Sequence, residues 1–422
     1  MNIASVRARQ VIDCKCRPLV EVEVETTSGS VGRGAAPTGQ SVGMYESFVL
    51  RDNDPRSYKG LSVHQAVENV RQVIAPALIG MRVDDQRVLD QAMVELDGTE
   101  NKNRLGGNAI CSTSIACIRA AAAVNGVPLW RYLAGEDITT VPQPTFNMVN
   151  GGRYGNVVQP FNEFIVMPYR AESICEAVEM GITVFDEMAG VLERYSGSPP
   201  NVAHSYGYVA PSEDPGVVLE LMLEAVDRCG YAEKMAFALD CASSEMYDSA
   251  TETYYLNGRR VTSEELIAYA RELSETFDLV FIEDLLDEDD WEGYPQAVRA
   301  LTRTIVLGDD LIATNLTRLE KAVATEAVEG FVFKPNQVGT ITEALATYDY
   351  AKAHGLIAVP SGRSGGVIDD VVMDMSVGLK VPFQKNGAPR SGERIEKLNF
   401  LMRAAEAIPD CELADVATLV KF

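Results

Sequence analysis

Long apolar runs are missing from this 422-residue chain, and so are runs of basic residues. No segment of about 18 consecutive apolar residues occurs, so the sequence predicts no membrane-spanning helix. The opening residues, MNIASVRARQVID, lack the apolar core of a signal peptide, and the expected location is the cytoplasm. Lysine and arginine number 37 against 61 aspartates and glutamates, a formal charge of −24. Nucleic acid is therefore excluded as a partner, because phosphate binding needs a basic footprint. Histidine is scarce, with His64, His204 and His354 only. The eight cysteines (14, 16, 111, 117, 175, 229, 241 and 411) form no CxxC pair, which argues against zinc of the Cys/His kind. Cys14 and Cys16 form a CxC that could be redox-active or metal-binding. The simpler reading is two reduced thiols near a turn. No GxGxxG follows a strand, since Gly32, Gly34 and Gly39 are too spread, so a dinucleotide fold has no support.

What is present suits a large globular protein. Apolar residues make up 46% and charged residues 23%, ample for a core. At ~150 residues per domain the length allows two or three domains, or a small domain plus a barrel. The first third reads as α+β. Leu19 to Thr26, LVEVEVET, alternates with period two and predicts a half-buried strand. Val31 to Met44 is rich in Gly and Ser and reads as a flexible loop. Helical spacing runs through HQAVENVRQVIAPAL and DQRVLDQAMVEL, and Asn108 to Val124 suits a buried helix. Pro142 and Pro144 punctuate a boundary near 135–145, which divides the chain into an N-terminal α+β capping domain, 1–137, and a C-terminal domain, 138–422.

The C-terminal part repeats one theme. Short apolar runs end in a polar residue and a helix-length segment follows. The runs end at Asp240, Glu283, Asp309, Lys334, Ser361 and Lys385, spaced by 43, 26, 25, 27 and 24 residues. Continuous apolar strands alternating with amphipathic helices imply a parallel sheet covered by helices. So many units in series favour a closed β/α barrel, with an open doubly wound sheet as the alternative. Functional residues of such a barrel sit at the C-terminal strand ends. Asp240, Glu283 and Asp309 would meet at one mouth and repel one another unless a cation joins them. An all-oxygen set points to a hard ion, and Mg²⁺ fits best. Lys334 and Lys385 would lie opposite. A lysine crowded by cations has its pKa lowered towards that of a base. Metal plus lysine suggests proton abstraction beside a carboxylate, with the enediolate held by the ion. The competing reading is a rim of salt bridges.

The segments AVENVRQVIAPALIG, MVELDGTENKNRLGGNAI, ALDCASSEMYD, FIEDLLDEDDWEG, GDDLIATN, FKPNQVGTITEA and KNGAPRSGERIEKLN resemble those of the enolase family, over nearly the whole chain. The resemblance implies an enolase-type barrel behind a smaller domain, Mg²⁺ as cofactor, a phosphorylated three-carbon acid as substrate, and a homodimer or higher oligomer. It implies Asp240, Glu283 and Asp309 as metal ligands and Lys334 as the base at C2 of 2-phosphoglycerate. Lys385 would lie near the substrate carboxylate, Arg363 and Ser364 would bind phosphate, and Glu163 would support the acid side. Ser41 matches a lid serine that reaches a second Mg²⁺.

Departures from the family pattern cluster on one side. The family's GDEGG loop is HSYGY, with Tyr206 in place of the glutamate and His204 two residues away. NGGxHA has become NGGRYG, with Tyr154 for histidine. SHRSGE has become SGRSGG, with Gly362 for histidine, and DSRGNP has become DCKCRP. An unperturbed phenol, near pKa ~10, is a poor base at neutral pH. His204 could reach in, although an ordinary loop histidine is the simpler reading. The glycine at 362 would open space for a larger substrate, while Tyr154 would still offer a hydroxyl to a phosphate or phosphonate. The expected function is a diverged, Mg²⁺-dependent enolate-forming enzyme without normal dehydration. Its best specific match is an enolase-like carboxyphosphonoenolpyruvate synthase of phosphonate or phosphinate biosynthesis. The alternatives are an ordinary enolase and a non-catalytic enolase-like binding protein.

Overall fold

The computed structural model describes residues 1–39, 43–135, 137–152 and 159–422. The chain opens with an antiparallel sheet of β1 (Ile3–Ile12), β2 (Pro18–Thr26) and β3 (Val31–Ala35). β3 lies where a flexible loop was expected. Its glycines mislead, because they serve packing rather than flexibility. A Cβ on Gly32 would stand 2.2 Å from the Ala116 carbonyl oxygen, and one on Gly34 2.2 Å from that of Ser112. Those carbonyls belong to the helix Gly107–Val124, which presses its backbone onto the sheet. This helix is long and apolar enough to cross a membrane, but 83% of it is buried inside the fold, so it is a core helix. The helical segments His64–Asn69, Val70–Ile74 and Ala75–Leu78 run on from one another, and Gln86–Asp97 follows with Asp85 capping Val88 N. Val20, Val22 and Val24 alternate into the core that these elements share.

The second part is a barrel of β4 (Gln143–Asn150), β5 (Glu163–Met167), β6 (Ala236–Asp240), β7 (Leu279–Glu283), β8 (Ile305–Gly308), β9 (Gly330–Phe333), β10 (Ile357–Pro360) and β11 (Phe383–Lys385). The hydrogen-bonded order is β10-β9-β8-β7-β6-β5-β4-β11, and a parallel bridge from Ser361 to Lys385 joins the two ends. The expected barrel is therefore present, but its sheet is not wholly parallel: β5 runs antiparallel to both β4 and β6. Two helices, Ile174–Ser196 and Pro215–Arg228, lie between β5 and β6. Later strands alternate with helices, and Thr262 begins Ser263–Thr276 with a reciprocal capping box. The barrel interior packs Ile165, Ala238, Phe281, Leu307, Val359 and Phe383, with Phe281 and Phe383 stacked at 5.7 Å between ring centroids.

All eight cysteines are free thiols. Cys14 and Cys16 lie in a turn closed by a hydrogen bond from Cys16 N to the Asp13 carbonyl. Burial and the neighbouring Glu393 push the Cys14 thiol up to about 11, away from reactive thiolate character.

Candidate active site

Successive side chains of a strand point to opposite faces, so the interior set forecasts what stands at the mouth. In β6, Ala236 and Ala238 face the barrel interior while Phe237 and Leu239 pack outside, and the same parity carries Asp240 inward. Phe281 sets Glu283, Ile305 and Leu307 set Asp309, and Phe383 sets Lys385. In β9, Phe331 and Phe333 pack outside, so Lys334 turns inward. β5 reaches the same mouth by the opposite route. Because it is antiparallel, its first residue and not its last lies there: Glu163 pairs with Asp240, and Asp240 with Glu283.

These side chains form a buried charge network. The Lys385 ammonium stands 3.2 Å from Asp240 Oδ2 and 3.6 Å from Glu163 Oε2, and donates to Glu283 Oε2. Lys334 Nζ donates to Asp309 Oδ2. Gln337 Nε2 donates to Asp309 Oδ1 at 2.9 Å, and Thr314 Oγ1 holds Gln337 Oε1 at 2.7 Å. Burial pushes Asp240 up to about 6, against the pull of Lys385 and with a push from Glu163. Burial and then Asp240 hold Glu283 well above the usual carboxylate range. Burial would raise Asp309 too, but Lys334 outweighs it and holds Asp309 below its ordinary value.

Both lysines are held above their ordinary range, contrary to the expectation of a lowered lysine. Burial alone would lower Lys334, but the facing Asp309 outweighs it together with the opposing Arg363 and Lys385. Asp240 and Glu283 do the same to Lys385. Four carboxylates thus face two ammonium groups, and the buried Oε1 of Glu283 has no hydrogen-bond partner among the described residues. An all-oxygen, over-negative, buried set fits a hard divalent cation. A second acidic group was not foreseen: oxygens of Asp284, Asp309 and Asp310 lie within 4.8 Å of one another. Asp284 already accepts the backbone N–H groups of Asp309 and Asp310, each at 2.8 Å, so it also braces the loop that presents Asp309.

The far side of the cleft is built differently. Gly362, Arg363 and Ser364 line it. Arg363 is clamped by Glu46 through two bonds of 2.8 Å, a partner that sequence reasoning missed because it lies 317 residues away. Gly362 does not open space as expected. A Cβ there would stand 2.1 Å from Lys397 Nζ, so the Lys397 side chain already fills the place. Tyr206 and His204 are not brought to the cleft. The Tyr206 hydroxyl donates to the Cys14 carbonyl at 2.7 Å, and the Lys15 ammonium lies 3.5 Å from its ring centre. Burial raises this phenol to about 12. Ser205 faces the cleft instead, held by Arg394. His204 is exposed, and its carbonyl accepts from Lys15. Ser41 and Tyr154 lie outside the described residues. The cleft volume is about 70 Å³.

Comparison with known proteins agrees with this geometry. The family model "Enolase, N-terminal domain" matches residues 3–133, and "Enolase, C-terminal TIM barrel domain" matches 138–417. An enolase of Methanopyrus kandleri is 40% identical over 409 residues, covering 96% of each chain. Enolases of Methanocaldococcus jannaschii and Methanococcus maripaludis are 40% and 38% identical over 408 residues, again covering 96% of each chain. A barrel mouth with inward carboxylates and two buried lysines, two matching domain models and full-length relatives lead to one assignment: the chain belongs to the enolase family.

Proposed function

We propose that this protein is a Mg²⁺-dependent lyase that interconverts 2-phosphoglycerate and phosphoenolpyruvate through an enolate. The observation that carries the reading is the pair Lys334 and Lys385, reaching from separate strands towards Asp240, Glu283 and Asp309. The full-length relatives are enolases, which favours this dehydration over other enolate chemistry. Asp240, Glu283 and Asp309 would hold the cation, with Ser41 as a ligand to a second. When bound, Mg²⁺ supplies positive charge next to the substrate carboxylate, where negative charge grows as the C2 proton leaves. With Asp309 given over to the cation, Lys334 loses the partner that holds its pKa up; having released its own proton to solvent, the neutral amine would then accept the C2 proton. Lys385 orients the carboxylate. Arg363, its plane fixed by Glu46, and Ser364 take the phosphate. Glu163 is the cleft carboxylate available to the departing hydroxyl. We further propose a cytoplasmic homo-oligomer acting on a small molecule.

A second reading rests on Tyr206. Its hydroxyl is spent on the Cys14 carbonyl, so position 206 offers the leaving group no acid. Enolate machinery without that acid suits a carboxyphosphonoenolpyruvate synthase, which would transfer a phosphonoformyl group from an activated donor to an enolpyruvate unit, the donor's leaving group departing as the new bond forms. The buried lysine–carboxylate set speaks against a purely non-catalytic role.

Proton NMR of 2-phosphoglycerate with protein and Mg²⁺ in D₂O tests both. Phosphoenolpyruvate formation supports dehydration. C2 exchange without that product sinks dehydration and sends the second reading to trials with phosphonoformyl donors. Neither exchange nor product overturns Lys334 as the base for this substrate.

A further inference from the structure

The strongest unassigned feature of the cleft is Lys397, on the helix Gly392–Ala407. The residue is only 3% exposed, yet it contributes to the cleft wall beside Gly362, Arg363 and Ser364. Its ammonium lies 3.5 Å from Glu393 Oε2 and 3.7 Å from Asp370 Oδ2, and makes no hydrogen bond among the described residues. Asp370 Oδ2 is itself buried with no hydrogen-bond partner among the described residues, while Glu393 is shared with Arg394, whose Nε lies 3.3 Å from Glu393 Oε1. Two carboxylates thus balance the charge of Lys397 at a distance without consuming its donors. An ammonium has three N–H donors, and a buried one is costly to leave unsatisfied.

Two glycines make this arrangement sterically feasible. A Cβ on Gly362 would meet Lys397 Nζ at 2.1 Å, and one on Gly366 would meet Glu393 Cδ at 2.8 Å. The segment Gly362–Gly366 therefore leaves room for a lysine from a different element to reach the cleft, with its counter-charge Glu393 packed behind it.

We propose that Lys397 is a substrate-contacting residue whose ammonium takes an oxyanion of the substrate's phosphate or phosphonate group, beside Arg363 and Ser364. The inference rests on the proposed reading of those two residues as the phosphate side. It makes this side of the cleft one that prefers a ligand bearing a dianionic phosphorus group. A flexible ammonium suits this role as a point charge, whereas the planar guanidinium of Arg363 is already aligned by Glu46.

The test is titration calorimetry on the full-length protein with Mg²⁺, using inorganic phosphate, phosphoenolpyruvate and pyruvate as probes. Lys397→Met should weaken phosphate and phosphoenolpyruvate binding by ~10–100-fold and leave pyruvate within about twofold, from the loss of a charge-assisted hydrogen bond. Removing a buried charge can harm folding, so Gly362→Ala is the second variant. It keeps every charge, displaces the ammonium with one methyl, and should give the same phosphate-selective loss. Lys397→Arg should recover part of the affinity. Wild-type binding in both variants overturns the proposal. So does an equal loss for phosphoenolpyruvate and pyruvate, which would mark a structural role. So does a wild-type protein that binds neither phosphorylated probe. A phosphate-selective loss in a protein that does not turn over 2-phosphoglycerate supports Lys397 and sinks only the reaction.

Discussion

The two sides of the barrel mouth are built on opposite plans. On one side, Glu163, Asp240, Glu283, Asp309, Lys334 and Lys385 come from barrel strands or the residue just beyond them, each aimed by strand parity. On the other, Gly362, Ser205, Lys397 and Glu46 come from loops and a helix, and their chemistry depends on which side chain fills which gap. A strand end is a stiff mount, because neighbouring strands fix both its height and its facing. Loop residues lack that constraint, so this side can be rebuilt without disturbing the barrel. Of the departures from the family motifs, Gly362 falls on this second side, and Tyr206 is turned away from the cleft beside Ser205.

The comparison breaks most directly at Lys334. Lys334→Ala should lower kcat by ~10²–10⁴-fold, as loss of a proton-transfer group does. Mg²⁺-dependent thermal stabilisation should survive, which a Mg²⁺ titration followed by Tm would check. Retained turnover would remove Lys334 as the base. Glu283→Gln should strike the same side through the cation and weaken Mg²⁺ binding by ~10–100-fold in calorimetry. An unchanged affinity would move the cation to the Asp284, Asp309 and Asp310 group.

A third test uses pH. Asp240 is raised to about 6 and Glu283 is raised as well, both by burial first. A carboxyl whose folded pKa lies above its unfolded value costs stability as pH rises from about 4 through 6, since the folded state must give up its proton at a penalty. Mg²⁺ competes with those protons. Its stabilisation, read as the Tm difference with Mg²⁺ and with EDTA, should therefore be larger at pH 8 than at pH 5. An equal shift at both values would mean that these carboxylates do not hold the ion.

The smallest effect is expected at Tyr206. Tyr206→Glu should change 2-phosphoglycerate turnover by less than about threefold, far below the ~10²-fold or more that a working acid/base group contributes. The residue sits in a left-handed conformation, with φ of 71°, turned towards Cys14. A gain of tenfold or more in the NMR assay would show that a carboxylate at this position can swing into the cleft, and would narrow the gap between the two sides.

Much of the first side was legible in the sequence. Apolar runs ending at Asp240, Glu283 and Lys385 are strands that end at those residues, and Asp309 and Lys334 follow theirs directly. Glu163 escaped this rule because β5 runs backwards, and nothing in EFIVM marks strand direction. β3 was misread because glycines pressed against a helix look like glycines in a loop.

The sequence by itself determined the barrel, the inward carboxylates and the two lysines, because continuous apolar runs that end in a polar residue and recur at regular spacing are local properties that survive in any packing. Only the tertiary structure decided what surrounds them. Glu46 meets Arg363 across 317 residues, Lys397 fills the gap at Gly362, and Tyr206 turns to Cys14. These are contacts between elements distant in the chain. Whether a gap is empty or filled is set by the three-dimensional packing of all its neighbours, and no local pattern carries that information.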